Sequence, residues 1–161
     1  LPITIARPFN NYGPGLKITD RRVLPDFARD VFEGRDIVML SDGSPTRTFC
    51  YIADAIVGYF KVLTIGHPGE SYNVGTDAAE VSMARLADEV VAVARKHWGF
   101  EGKVVRETST DKDYLTDNPN RRCPIIDKAR NELGYEPQVD FEEGLERAML
   151  WYAGNRVAED A

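Results

Sequence analysis

The stretch Ile3–Pro14, I-T-I-A-R-P-F-N-N-Y-G-P, does most to narrow what this chain can fold into. Ile3 and Ile5 open it as a short apolar strand, and Arg7-Pro8 leads that strand into a polar, turn-rich loop. Asn10, Asn11, Gly13, Pro14 and Gly15 crowd together there. Open α/β sheets bind ligands in the crevice outside the carboxyl ends of their strands, so a strand that empties into Asn and Gly suits that place. Asn amides offer donors and acceptors, and Gly lets the backbone approach a phosphate. The alternative is an ordinary connection after an ordinary strand.

Further along, Asp20 is placed to cap a helix reaching about Glu33, with Pro25 tolerated in its first turn. Val23, Phe27, Val31 and Phe32 form its apolar side, and Gly34 ends it. Ile37–Leu40 reads as a strand, Ser41–Ser44 as a turn, and Thr46–Tyr51 as a second strand carrying Arg47. An apolar helix over Ala53–Ile65 stops at Gly66, and Ser71–Val74 is a strand. Ser82 caps a long amphipathic helix with Leu86, Val90, Val93 and Ala94 at helical spacing. Lys103–Arg106 is a strand, followed by a polar loop, Glu107–Cys123, of about 17 residues. Within it, Lys112, Asp113 and Tyr114 are either a lid over a ligand or part of a mobile surface loop. Asp127 caps a short helix ending at Gly134. Asp140 with Glu143 forms a capping box for a last helix whose core face is Leu145, Ala148, Met149 and Tyr152. Residues 156–161 read as a frayed tail.

The chain has 161 residues, enough for a real core, and its 43% apolar and 29% charged content is that of a globular protein. A net charge of -6 argues against nucleic acid as the main partner, though a few arginines can still hold one anion. No run of about 18 apolar residues offers a membrane span. Cys50 and Cys123 lack metal spacing and read as free thiols in a reducing, cytoplasmic setting. His67 and His97 read as structural, with no third ligand to make a zinc site. Glu142, Glu143 and Glu146 read as one solvated helix face.

Six segments, in order, resemble the extended short-chain dehydrogenase/reductases that act on nucleotide sugars: NAD-dependent epimerases, 4,6-dehydratases and UDP-glucuronate decarboxylases. Arg7–Pro14 looks like the segment after the catalytic helix, Asp20–Val23 like D-x-R-V, and Ser44–Asp54 like G-x-Q-x-R-x-F-x-Y-V-x-D. Tyr72–Gly75 is similar to Y-N-I-G, Asp117–Pro124 to D-D-P-x-x-R-x-P, and Leu133–Pro137 to L-G-W-x-P. Each motif alone is weak; their order along nearly the whole chain carries the resemblance. None of the seven tyrosines is followed four residues on by Lys, and no G-x-G-x-x-G occurs, so the family's Tyr-x-x-x-Lys and its dinucleotide fingerprint are absent. In the family both precede the point matching Leu1. The expectation is therefore an α/β fold: the C-terminal part of a Rossmann-type enzyme, mainly its small substrate-binding domain (residues 1–155), with segments 1–14 and 71–75 completing the Rossmann sheet. The chain would then be cut, split between two genes, or one half of an enzyme whose N-terminal NAD-binding half is elsewhere.

The resemblance implies NAD as cofactor, a nucleotide-diphosphate sugar as ligand and a homodimer when the enzyme is complete. It implies that Arg47 and Arg122 grip the diphosphate, where the Arg fork donates two parallel charged hydrogen bonds. Arg22 would reach the diphosphate or the cofactor. The plain alternative for any of the three is a surface ion pair with one of 26 acids. Asn10 would contact substrate, and Leu24, Phe27 and Leu40 would wall the base, although many relatives carry an aromatic where Leu40 stands. Pro8, Phe9 and Asn11 would lie by the nicotinamide, Phe9 being equally suited to plain core packing. Lys17 falls near the cofactor where some decarboxylases carry His. Asn73 either orients a ligand or caps a turn. The D-N-P-N-R-R-C-P segment is closer to the decarboxylases than to the dehydratases. UDP-glucuronate decarboxylase-like chemistry is thus the first expectation, with dTDP-glucose 4,6-dehydratase or 4-epimerase next. A non-catalytic binding module or a partner chain of a split enzyme are the rivals. Lacking Tyr and Lys, the chain alone is expected to be inactive.

Overall fold

A computed structural model describes residues 1–107 and 119–155. The expected lid residues Lys112, Asp113 and Tyr114, and the 156–161 tail, lie outside the described residues. The elements run β1 (Ile5–Pro8), β2 (Asn11–Tyr12), α1 (Val23–Phe32), β3 (Ile37–Met39), β4 (Thr46–Arg47), β5 (Cys50–Tyr51) and α2 (Ile52–Ile65). They continue with β6 (Ser71–Val74), β7 (Val81–Ser82), α3 (Met83–Trp98), β8 (Val104–Arg106), β9 (Arg121–Arg122), α4 (Asp127–Leu133) and α5 (Phe141–Gly154). β1 pairs with β6, β2 with β5, β3 with β8 and β4 with β9, all parallel. This is the expected α/β class, since parallel neighbours need crossovers and the crossovers here carry helices. Two compact units form: Leu1–Tyr12 with Thr46–Val81 and Arg121–Phe141, and Gly13–Pro45 with Ser82–Asn120 and Glu142–Ala161.

In the first unit, α2 lies between β1 and β6 in sequence and packs on both, and on α4. Its inner face is Asp54, Ala55, Gly58 and Val62. Gly58 allows this approach: a Cβ there would sit 2.6 Å from Val74 Cγ1 and 2.9 Å from Tyr135 Cε2. Ala55, Val62, Tyr72, Val74, Ile126, Leu133 and Tyr135 make the core with Cys50 and Ala129. The buried Asp54 carboxylate accepts from the Val139 N–H at 3.0 Å. Arg130 of α4 donates to Asp77, Glu136 and Asp127, which raises its pKa, chiefly through Asp77, and ties the helix to the loop after β6.

In the second unit, α1 and α3 pack on each other and on β3, with Leu24, Phe27, Ile37, Leu86, Val90 and Leu145 buried. Phe32 and Trp98 meet edge to face at 5.0 Å. Ser82 caps α3 as expected, its Oγ accepting from the Arg85 N–H at 3.1 Å, and Gly99 closes the helix in the left-handed conformation.

Several expectations need correction. Asp20 does not cap α1; the N-cap position is Arg22, and the Asp20 carboxylate takes the Arg22 guanidinium instead. Thr46–Tyr51 is not one strand, because β4 and β5 pair with different partners, β9 and β2. Asp127 is the first helical residue of α4 rather than its cap. The α5 acids are not merely solvated: Glu142 pairs with Arg85, Glu143 with Arg147, and Glu146 with Lys96 and His97.

Candidate functional site

The first unit assembles its polar groups where β1 ends. Phe9 N–H still donates to Val74 O at 2.9 Å, holding the strand pair one residue further. Asn10 then turns left-handed, with φ 44°, the only non-Gly residue with positive φ among those described. Asn is the side chain that tolerates this conformation, because its amide can bond locally. Here the Asn10 Nδ2 donates to Thr48 O at 2.9 Å and, at the 3.5 Å limit, to Arg122 O. Its own carbonyl accepts from Cys50 N–H at 3.2 Å. One residue thus joins the turn after β1 to the ends of both β4 and β9.

That tie bears on the two arginines. β4 and β9 pair with Arg47 opposite Arg122 and Thr46 opposite Arg121. Residues in register on parallel strands share a face, so Arg47 and Arg122 lie side by side and Thr46 and Arg121 share the other face. On that other face, Glu80 accepts from Thr46 Oγ1 at 2.6 Å and from the Arg121 guanidinium at 2.7 and 2.9 Å. The Arg121 bonds, with Thr46 next, hold the Glu80 carboxyl below its usual range. The doublet Arg121-Arg122 therefore divides its work: Arg121 is spent on an ion pair, while exposed Arg122 stands next to Arg47. Arg47 is only 7% exposed and donates to Thr46 O at 2.7 Å.

The remaining first-unit candidates are accounted for individually. Asn73 Nδ2 donates to Ile125 O at 2.8 Å, so it holds the chain before α4. Asn11 Nδ2 bonds the Tyr59 hydroxyl, leaving its buried Oδ1 without a partner among the described residues. Pro8 is exposed and Phe9 half-buried. A Cβ on Gly75 would come within 2.9 Å of Phe9 Cβ and 3.0 Å of Pro124 Cγ, so only Gly fits there. The Gly75 carbonyl accepts from Tyr135 Oη at 2.9 Å, and Tyr135 Oη lies 3.5 Å from Cys50 Sγ. Burial is the main cause that pushes the Cys50 thiol up to about 11, which marks it as structural rather than reactive.

The second unit holds the other candidates. Arg22 engages Asp20 with Nε at 2.8 Å and Nη2 at 3.0 Å, and the pair lowers the Asp20 pKa while raising that of Arg22. Leu24 and Phe27 are core residues, each 3% exposed, whereas Leu40 and Lys17 are at the surface. Glu80, Tyr59 and Gly75 went unremarked as individual site residues in the sequence. Glu80 reaches Arg121 across 41 positions, and no local pattern announces such a pair.

The fold is that of Rossmann-type epimerases and dehydratases: the structure of a Streptomyces venezuelae dTDP-glucose 4,6-dehydratase with NAD and TYD bound superposes with a TM-score of 0.81 at 29% identity, over 97% of this chain and 45% of that one. Residues 1–75, just under half of the chain, match the NAD dependent epimerase/dehydratase family. It is 33% identical to a mouse dTDP-D-glucose 4,6-dehydratase over 96% of this chain and 42% of that protein. It is 34% identical to the Arabidopsis thaliana UDP-glucuronic acid decarboxylase 3, over 90% of this chain and 39% of that protein. The chain thus spans about two fifths of the length of the curated relatives it matches.

Proposed function

We propose that this chain is the substrate-gripping part of an enzyme that modifies nucleotide sugars with NAD. The observation that carries the reading is the register that sets Arg47 beside Arg122 on adjacent parallel strands. Two guanidinium forks on one face match a diphosphate, which presents several oxygens over a few ångströms. Asn10 holds the two strand ends together, and Glu80 occupies Arg121 so that only one of the doublet faces the ligand. Segments 1–14 and 71–75 complete a Rossmann sheet whose other strands belong to the NAD-binding half.

The residues present fit the nicotinamide edge of NAD in one respect: Asn11 Oδ1 is a buried acceptor with no partner among the described residues, suited to a carboxamide N–H. Pro8 and Phe9 lie beside it in sequence at the end of β1. When bound, NAD would supply a hydride acceptor for oxidation at the sugar C4. This chain's residues would bind and orient; the proton-transferring Tyr and Lys are not among them, so the chain alone is inactive. UDP-glucuronate decarboxylation is the favoured reaction, because the segment ending at Arg122-Cys123-Pro124 is closer to the decarboxylase pattern than to that of the dehydratases; dTDP-glucose 4,6-dehydration or 4-epimerisation comes next. The complete enzyme is read as a homodimer, and the free thiols of Cys50 and Cys123 in this chain suit the cytoplasm.

The test is turnover by the complete protein, read as pentose nucleotide and CO2 from UDP-glucuronate and as 4-keto-6-deoxy product from dTDP-glucose. Decarboxylation with NAD bound supports the reading. Activity on neither substrate, together with no affinity for UDP or dTDP, overturns it.

A further inference from the structure

α1 and α3 both end at one cleft in the second unit, with a volume of about 420 Å³. That is the size of a small-molecule site. Phe32 and Gly34 line it from the end of α1, Trp98 and Phe100 from the end of α3, and Glu101 from the chain leading to β8. Its walls are aromatic: Phe32 and Trp98 meet edge to face, Phe100 is buried, and Trp98 keeps 37% of its surface exposed. A Cβ on Gly102 would come within 2.9 Å of Phe100 Cε2, so the backbone lies directly against that ring. Cβ atoms on Gly34 and Gly99 would have nothing within 4 Å, so the space at both helix ends is open.

The charge around this cleft favours a cation. A helix C-terminus carries about half a negative charge, and two such ends meet here. Among the residues lining the cleft, Glu101 is the one with a charged side chain; it is exposed and has no ion pair among the described residues. The basic residues near the two helix ends are engaged with other groups. Arg35 pairs with Asp30 and Glu33, Lys96 and His97 pair with Glu146, and Arg95 Nη2 donates to Gly102 O at 3.4 Å. Neither Arg95 nor Lys103 lines the cleft.

We propose that this cleft binds an organic ammonium group, of the kind a quaternary amine such as choline carries. The cation lies against the exposed Trp98 indole, because the negative face of an aromatic ring attracts it, and tryptophan does so best. Phe32 and Phe100 give apolar contact to the alkyl groups, and the Glu101 carboxylate supplies the counter-charge. An anionic ligand would meet two helix C-termini and a carboxylate, so this is not a second place for the diphosphate. The proposal does not depend on the nucleotide-sugar reading.

The test is fluorine NMR of the complete protein labelled with fluorotryptophan. It is titrated at constant ionic strength with choline and, separately, with its neutral carbon isostere dimethylbutanol. The Trp98 resonance is identified as the one missing from Trp98→Phe. The result expected is a saturable shift of that resonance by choline, with affinity about 2- to 30-fold above that for the neutral isostere. Glu101→Gln alters an exposed side chain and leaves the aromatic walls in place. It should weaken choline by about 2- to 5-fold and leave dimethylbutanol unaffected. No saturable shift at Trp98, equal affinity for the two probes, or a choline affinity unchanged by Glu101→Gln would overturn the proposal.

Discussion

Replacing Asn10 tests whether one left-handed residue holds the arginine-bearing strands. Asn10→Ala removes a part-buried hydrogen bond to Thr48 O of 2.9 Å and leaves that carbonyl facing a methyl group. Stranding a buried acceptor costs about 1–3 kcal/mol. Alanine at φ 44° adds left-handed strain of about 1 kcal/mol beyond that of asparagine. The sum is about 2–4 kcal/mol. Asn10→Gly loses the same bond but none of the conformational freedom, so it should be milder than alanine by about 1 kcal/mol. Asn10→Asp sets a carboxylate against a carbonyl and should be the worst of the three. For a chain of this size, each kcal/mol moves Tm by about 2–4 °C. Urea unfolding and thermal melts of the parent and the three variants should therefore rank asparagine, glycine, alanine, aspartate. UDP affinity should fall in all three while Arg47 and Arg122 remain in place. Alanine as stable as glycine would remove the strain argument. Unchanged UDP affinity in all three would show that the Asn10 tie does not organise the site.

Gly58→Ala forces a methyl within 2.6 Å of Val74 Cγ1 and 2.9 Å of the Tyr135 ring, so overpacking of about 1–3 kcal/mol should appear in the urea midpoint. A midpoint equal to that of the parent would mean that α2 does not sit this close to β6. For Glu80, the folded-state pKa lies below the ordinary value, so its stabilising pairing is present above the ordinary carboxylate range and is lost as pH falls through the lowered value. Glu80→Gln should accordingly lose stability less steeply than the parent between neutral and strongly acid pH; matching slopes would contradict the pairing. Thiol labelling at pH 8 should modify half-buried Cys123 well before Cys50, which is buried and pushed up to about 11, although burial also raises Cys123. Equal rates would place Cys50 at the surface.

Much of the fold could be read directly from local chemistry. The helical spacing after Ser82, the short strand Ser71–Val74 and the glycine stops at Gly34 and Gly134 act within a few residues, and the structure follows them. Asp20 misled because it had two uses within reach, the α1 N-terminus and the Arg22 fork, and the charged fork won. Thr46–Tyr51 looked continuous because strand propensity says nothing of partners; the break follows from β9 and β2, 75 and 39 positions away by register. The site divides the same way. Arg47, Arg122 and Asn10 stood out through their motifs, but Asn10 as a link between strands, and Glu80 as the partner that occupies Arg121, appear only once distant segments are side by side. Leu24 and Phe27 are where helical spacing alone would put them, in a core.

The most direct measurement is calorimetric titration of the protein with UDP, comparing Arg122→Ala with Arg121→Ala. The two residues are neighbours with the same charge, so net charge and long-range fields cancel in the comparison. If Arg122 joins Arg47 on the diphosphate, Arg122→Ala should weaken binding by about 2–5 kcal/mol, roughly 30- to several-thousand-fold, while Arg121→Ala leaves it nearly unchanged. Equal losses from both variants, or no loss from Arg122→Ala, would contradict the assignment of this strand pair as the diphosphate grip.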